Sequence, residues 1–177
     1  MTHADLVERA AKWLKNYFHC RVPISEHVAC TDTGETPDAI GWVFNKCILI
    51  ECKASISDFH ADKRKRARRR SYPALGHWRF YLTPPGLLAK SEIINGWGVY
   101  EVHGRRVIHT KGIEYQNASR APFVSCRDSE VAILLSYISK KEFYDYTSTK
   151  DECDPRCKNN NLNPGCFNCG CLDEKEI

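Results

Sequence analysis

Two carboxylates and a lysine stand at spacings that bring them onto one face of a hairpin: Pro37-Asp38, followed by Ile48-Leu49-Ile50-Glu51-Cys52-Lys53. With Asn45-Lys46 read as a two-residue turn, Phe44 faces Cys47, Trp42 faces Leu49, Ile40 faces Glu51 and Asp38 faces Lys53. Side chains alternate along a strand, so Asp38, Ile40, Glu51 and Lys53 share a side. Directly opposed Cβ atoms lie about 5 Å apart and diagonal ones about 7–8 Å. Asp38 and Glu51 are therefore expected to hold one hard cation, with Lys53 beside it. Two carboxylates suit Mg²⁺ (or Mn²⁺), which keeps several waters and takes up substrate phosphate oxygens. Such an ion activates water and screens a phosphodiester. The plain alternative is a strand end with its charges in water, but the apolar remainder of both strands makes a chance acidic cluster there costly.

These residues resemble the PD-(D/E)XK nuclease superfamily, in which a hairpin carries Pro-Asp and Glu-x-Lys, here Pro37-Asp38 and Glu51-x-Lys53. The similarity runs on through Lys53-Ala-Ser55-Ile-Ser-Asp58-Phe59-His-Ala61-Asp62-Lys63, Arg79-Phe80-Tyr81 and Gly96-Trp97-Gly98-Val99. That longer pattern resembles the MmcB-like DNA-repair branch of the superfamily and covers residues 5 to 140, leaving the tail unmatched. The resemblance implies an α/β fold, a restriction-endonuclease-like mixed central sheet flanked by helices. It also implies Asp38 and Glu51 as metal ligands and Lys53 as the residue that positions or activates the water. A lysine does this when burial or a neighbouring cation lowers its pKa. A glutamate stands near the place of Glu26 in the same pattern, which makes Glu26 the candidate third acidic group. An edge-strand residue in water is the equal alternative. Glu8, on the first helix, lies beyond the apolar arc alongside Lys15 and reads as a solvated residue.

The elements that must position these groups follow from periodicity. Ala4 to Phe18 has apolar residues at helical spacing and reads as a helix covering one sheet face. A first strand is expected over Val22 to Ala29, and further strands over His77 to Leu82, Trp97 to Val102 and, after His103-Gly104, Arg105 to Thr110. Ser55-Ile56-Ser57-Asp58 has the spacing of a helix start, with Ser55 as cap and Asp58 favoured by the dipole. A supporting role for Ser55, Asp58 and Asp62 in catalysis is the lesser reading. That helix is expected to run to Arg70, before Tyr72-Pro73. A last helix is expected over Asp128 to Tyr144.

The second helix leads into Lys63-Arg64-Lys65-Arg66-Ala67-Arg68-Arg69-Arg70, seven basic residues in eight positions. Neutralising phosphates gives sequence-independent affinity for nucleic acid, and these residues are the expected phosphate-binding surface. The competing readings are a localisation signal and a solvated helix face. Tyr72, Trp78, Tyr81 and Trp97 are available for base stacking but read first as core.

The 177 residues suffice for one domain and an appendage, and 42% hydrophobic with 27% charged residues is ordinary for a globular protein. No apolar run resembles a signal peptide or a membrane span, so an intracellular location and no membrane partner are expected. The ten cysteines then read as thiols and metal ligands before disulfides. Cys20, Cys30, Cys47, Cys52 and Cys126 read as small core residues. Cys153, Cys157, Cys166, Cys169 and Cys171 crowd a polar tail too small to make its own core. Four of the five are expected to hold a structural Zn²⁺, with an iron–sulfur cluster as the rival and a cysteine-rich disordered tail as the alternative. The whole reads as a nuclease domain over residues 1–147 and a metal-stapled, cysteine-rich C-terminal appendage over 148–177. The expected activity is Mg²⁺-dependent hydrolysis of DNA, in repair or in the processing of phage or other foreign DNA. The alternatives are a non-catalytic nucleic-acid-binding module on the same fold and an RNA nuclease, and a homodimer is left open.

Overall fold

The computed structural model describes residues 1–69, 74–115 and 120–148. The chain divides into two units, Met1–Leu135 and Ser136–Ile177, and the first holds the entire sheet.

Helix α1, His3–Asn16, opens on a capping box in which the Thr2 hydroxyl accepts from the Asp5 backbone N–H and the Asp5 carboxylate accepts from Thr2 N–H. This satisfies two donors that a helix start otherwise leaves unpaired. Leu6, Val7, Ala10, Trp13 and Leu14 form its buried stripe. The strands are β1 (Ile24–Ser25), β2 (Ala39–Val43), β3 (Lys46–Cys52), β4 (Trp78–Thr83), β5 (Gly98–His103) and β6 (Arg106–Gly112). They lie side by side in sequence order. β1–β2, β2–β3 and β5–β6 are antiparallel, whereas β3–β4 and β4–β5 are parallel. The connection from β3 to β4 carries α2 (Ile56–Lys63) and a 3-10 turn (Arg66–Arg68), and α3 (Arg127–Ser148) follows the sheet. The expected α/β class with a mixed sheet is what the chain adopts. No helix among the described residues is long and apolar enough to cross a membrane.

Both faces of β3 are covered, as a strand with a parallel neighbour requires. On one face Ile48, Ile50, Cys52, Phe80 and Leu82 pack with the stripe of α1. Phe18 bridges the layers, its ring 4.7 Å from that of Trp13 and 5.7 Å from that of Phe80. Gly41 marks the closest approach, where a Cβ would lie 2.8 Å from Cys20 Sγ. The alternation of β3 sends Glu51 to the opposite face, together with Arg79 and Tyr81 of β4.

The hairpin turn is Phe44-Asn45, not Asn45-Lys46: Val43 pairs with Lys46, Trp42 with Cys47 and Ile40 with Leu49. Phe44 adopts a φ of 51°, the positive value that a tight hairpin turn demands at its first position. This register sets side-chain-free Gly41 opposite Ile48 and beneath Cys20 and Leu14, where a larger residue would collide. Each residue of β2 moves two partners along β3, which preserves its face. Continued by one pair, this register sets Asp38 opposite Glu51 rather than Lys53.

β1 is shorter than expected. It ends at Ser25, because Glu26 takes a φ of 48° and Val22 and Val28 are exposed. Helix α2 also stops early, at Lys63; Lys65 is extended and the 3-10 turn follows. The basic run is therefore broken rather than carried away on one helix. Cys20, Cys47 and Cys52 are buried as expected, while Cys30 is exposed and Cys126 half-buried.

Candidate functional site

β3 delivers Glu51, and Lys53 follows on the same face just past its end. The Lys53 backbone N–H donates to Leu82 O at 3.0 Å, so the sheet fixes that backbone beyond the last named residue of β3. Lys53 Nζ lies 3.1 Å from Glu51 Oε2 and 3.5 Å from Asp62 Oδ1. Asp38, next to β2, accepts the Cys52 backbone N–H on Oδ2 at 2.7 Å, and its Oδ1 stands 3.5 Å from His3 Nε2 at the start of α1.

Helix α2 brings Asp62 to the same place. Ser55 caps it, accepting from Asp58 N–H at 3.2 Å. Phe59 and Asp62, three residues apart, form its buried edge. The Asp62 carboxylate accepts from Arg68 Nε at 2.7 Å, Arg68 Nη2 at 2.9 Å and the Tyr81 hydroxyl at 3.0 Å, and Lys65 Nζ stands 3.0 Å away. Arg68 continues the chain of charge: Nη1 meets Glu35 Oε1 at 2.8 Å and Nη2 meets Glu51 Oε1 at 3.0 Å. Glu35 Oε2 in turn accepts the Leu75 backbone N–H at 2.6 Å. The guanidinium also lies 4.9 Å over the Trp97 ring, itself stacked on Tyr81. A cavity of about 570 Å³, lined by residues 31–36, Glu51 and 65–68, opens beside this cluster.

Glu51, Lys53, Asp62 and Arg68 are each 5% exposed or less. Charges so far from water persist only when paired. Burial alone would push the Asp62 carboxyl up, but Arg68 and Lys53 hold it well below the usual range. Burial and then the charge of Glu51 push the Asp38 carboxyl up, only partly offset by the Cys52 N–H and by Lys53. Burial raises Glu35 as well, against the pull of Leu75 N–H and Arg68. Burial would lower the Lys53 ammonium, yet Glu51, Asp62 and Asp38 together keep it above the ordinary lysine value. Three carboxylates outweigh desolvation here, which favours the charged lysine and a role in positioning the water.

Asp38, Glu51 and Lys53 come together as their spacing implied. Glu26 is exposed where β1 ends, beside Asp38, whose backbone O accepts the Glu26 N–H at 3.1 Å. The further acid bridged to Glu51 through Arg68 is Glu35, which sequence reasoning missed. Glu35 sits in an irregular segment without periodicity, so only its contacts identify it. Asp62, which reads from the sequence as a lesser supporting group, is the centre's most heavily contacted carboxylate. Arg68 is corrected too, because its guanidinium is consumed by three carboxylates and does not present to phosphate. Arg64, Lys65, Arg66 and Arg69 are exposed, while Lys63 Nζ donates to Glu92 O at 3.0 Å. Trp78, Tyr81 and Trp97 are core residues. Arg70, Tyr72 and the cysteines from Cys153 to Cys171 lie outside the described residues.

Among the described residues no group of three or more His, Cys, Asp and Glu side chains is arranged to hold a metal ion. Asp38 and Glu51 offer a two-carboxylate set, and after burial it is the repulsion of Glu51 that raises the Asp38 carboxyl. A cation between them would relieve it, so the donor chemistry fits a divalent ion that keeps most of its waters.

In architecture the chain is similar to a protein of unknown function from Silicibacter pomeroyi, with a TM-score of 0.57, 15% sequence identity, and coverage of 87% of this chain and 99% of that one. This likeness shows the fold alone. No protein-family model matches the chain, and no curated protein matches it.

Proposed function

We propose that the protein is a divalent-metal-dependent nuclease acting on DNA, of the PD-(D/E)XK type that its hairpin resembles. The observation that carries this reading is the face shared by half-buried Asp38 with buried Glu51 and Lys53, with Lys53 Nζ 3.1 Å from Glu51 Oε2. Asp38 and Glu51 would hold Mg²⁺ or Mn²⁺, which supplies an activated water and screens the phosphodiester. Lys53, kept protonated by its carboxylates, donates a hydrogen bond that orients the water or a phosphate oxygen. Arg64, Lys65, Arg66 and Arg69 present cations at the surface close to the turn that Arg68 anchors, where they would meet the phosphates of a polyanion. In the tail, four of Cys153, Cys157, Cys166, Cys169 and Cys171 would bind Zn²⁺ independently of this centre, with an iron–sulfur cluster as the rival.

A second reading is favoured by one observation. Glu51 is already bonded by Arg68 and Lys53, which suits a nucleic-acid-binding module that keeps the fold without cutting. Labelled single-stranded, duplex and branched DNA and RNA, incubated with the protein and Mg²⁺, Mn²⁺ or EDTA, separates the two. Metal-dependent cleavage lost in Glu51→Gln supports the nuclease. Binding without cleavage under every metal supports the module, and a preference for RNA moves the substrate.

A further inference from the structure

We propose that Arg68 is a resident cation of the centre that shares Glu51 with the divalent ion, and that Glu35 sets how strongly it does so. The inference rests on the reading of Asp38 and Glu51 as the ion's ligands. Both Glu51 oxygens already face nitrogen cations, Oε2 toward Lys53 at 3.1 Å and Oε1 toward Arg68 at 3.0 Å. A divalent ion reaching Glu51 therefore meets a carboxylate whose charge is partly answered, and it is repelled by the guanidinium across that carboxylate.

Arg68 cannot swing aside cheaply. Its fork on Asp62 at 2.7 and 2.9 Å, its contact with Glu35 at 2.8 Å and its place over Trp97 at 4.9 Å all hold it. A planar guanidinium satisfies this geometry where a lysine would not. Glu35 is joined to the centre by Arg68: its Oε1 takes Nη1, and its Oε2 is anchored on Leu75 N–H. Its carboxylate offsets the charge that Arg68 would otherwise turn fully on Glu51 and the ion. Glu35 and Arg68 are thus positioning residues that act in opposite senses on one affinity.

Calorimetric titration of Mn²⁺ into the folded full-length chain tests this, with circular dichroism as the check of folding and Asp38→Asn defining the heat that belongs to the centre. Arg68→Gln should tighten Asp38-dependent Mn²⁺ binding by about tenfold, and Glu35→Gln should weaken it severalfold. A merely structural role would weaken binding in both variants or leave both unchanged, and either result overturns the proposal. If Arg68→Gln does not fold, Glu35→Gln decides: unchanged or tighter binding overturns it. Wild-type protein with no Asp38-dependent Mn²⁺ binding overturns the ligand reading itself and the proposal with it, a result recorded before any variant is compared.

Discussion

Lys53 and Glu51 stand two residues apart, with Nζ 3.1 Å from Oε2 and both side chains 4% exposed. The strand holds them on one face, and Asp62 and Arg68 pair with Lys53 and Glu51 in turn. The centre is therefore an ionic lattice in which every member's position depends on the charge of its neighbours.

For the nuclease reading, Asp38→Asn, Glu51→Gln and Lys53→Ala should each lower cleavage by about 10²–10⁴-fold and leave nucleic-acid binding largely intact. Gel-shift and cleavage assays on protein shown to be folded check this. An Asp38→Asn protein that cuts normally removes Asp38 from the site.

Asp38 also predicts a pH dependence. Its carboxyl is raised above the ordinary 3.8, so the native state binds its proton more tightly than the unfolded chain. Stability then falls as pH rises from that ordinary value through the raised one, and the cost persists above it. Asp38→Asn should consequently melt at a higher temperature than wild type at pH 7, with the difference vanishing below the ordinary carboxylate range. A lower melting temperature at pH 7 would contradict the sign.

Asp62 predicts the reverse. Its carboxyl is held below the ordinary 3.8, so its contribution is complete above that value and fades as pH falls beneath it. Asp62→Asn should cost about 3–5 kcal/mol at neutral pH, since it strips Arg68 of a buried partner. Denaturant unfolding across pH measures the deficit, which should narrow only in acid.

The exposed and buried parts of the basic run should separate cleanly. Replacing Arg64, Arg66 and Arg69 by Gln should reduce the salt dependence of duplex binding by a slope of about 0.9 for each phosphate no longer neutralised. Arg68→Gln should leave that slope unchanged while altering stability. An unchanged slope in the triple variant places the nucleic acid elsewhere.

Elemental analysis of chelator-free protein tests the tail. About one equivalent of zinc is expected, bound by Cys153, Cys157, Cys166 and Cys169 or Cys171. Iron with visible absorption favours a cluster instead. Loss of the metal in Cys157→Ser with the Asp38-dependent ion unaffected would establish two separate sites.

Much of this centre is legible in the sequence because strand alternation is a strict rule. Asp38, Glu51 and Lys53 keep a common face even though the turn lies one residue earlier than Asn-Lys chemistry suggests, since the pairing moves by an even number. Glu35 and Arg68 are not legible in their roles. Glu35 lies in a segment whose course is set by Leu75 and Arg68, which are distant in sequence. Arg68 lies in a run whose composition announces a solvated surface, and only the three carboxylates around it show why one member turns inward. The break of α2 after Lys63 goes with this inward turn, since the 3-10 turn that follows carries Arg68 to Glu35, Glu51 and Asp62.

The two borders of the sheet differ in length and character. β1 offers only Ile24 and Ser25, too little ladder to template another strand. β6 is seven residues long with alternating exposure, but it carries Arg106 and Lys111, and Lys111 Nζ donates to Leu88 O at 3.1 Å and Ser91 O at 3.2 Å. Lysine on an edge strand is a known guard against strand addition, and here it also ties the neighbouring loop to that edge. Among the described residues, one border is guarded against strand addition by brevity and the other by charge.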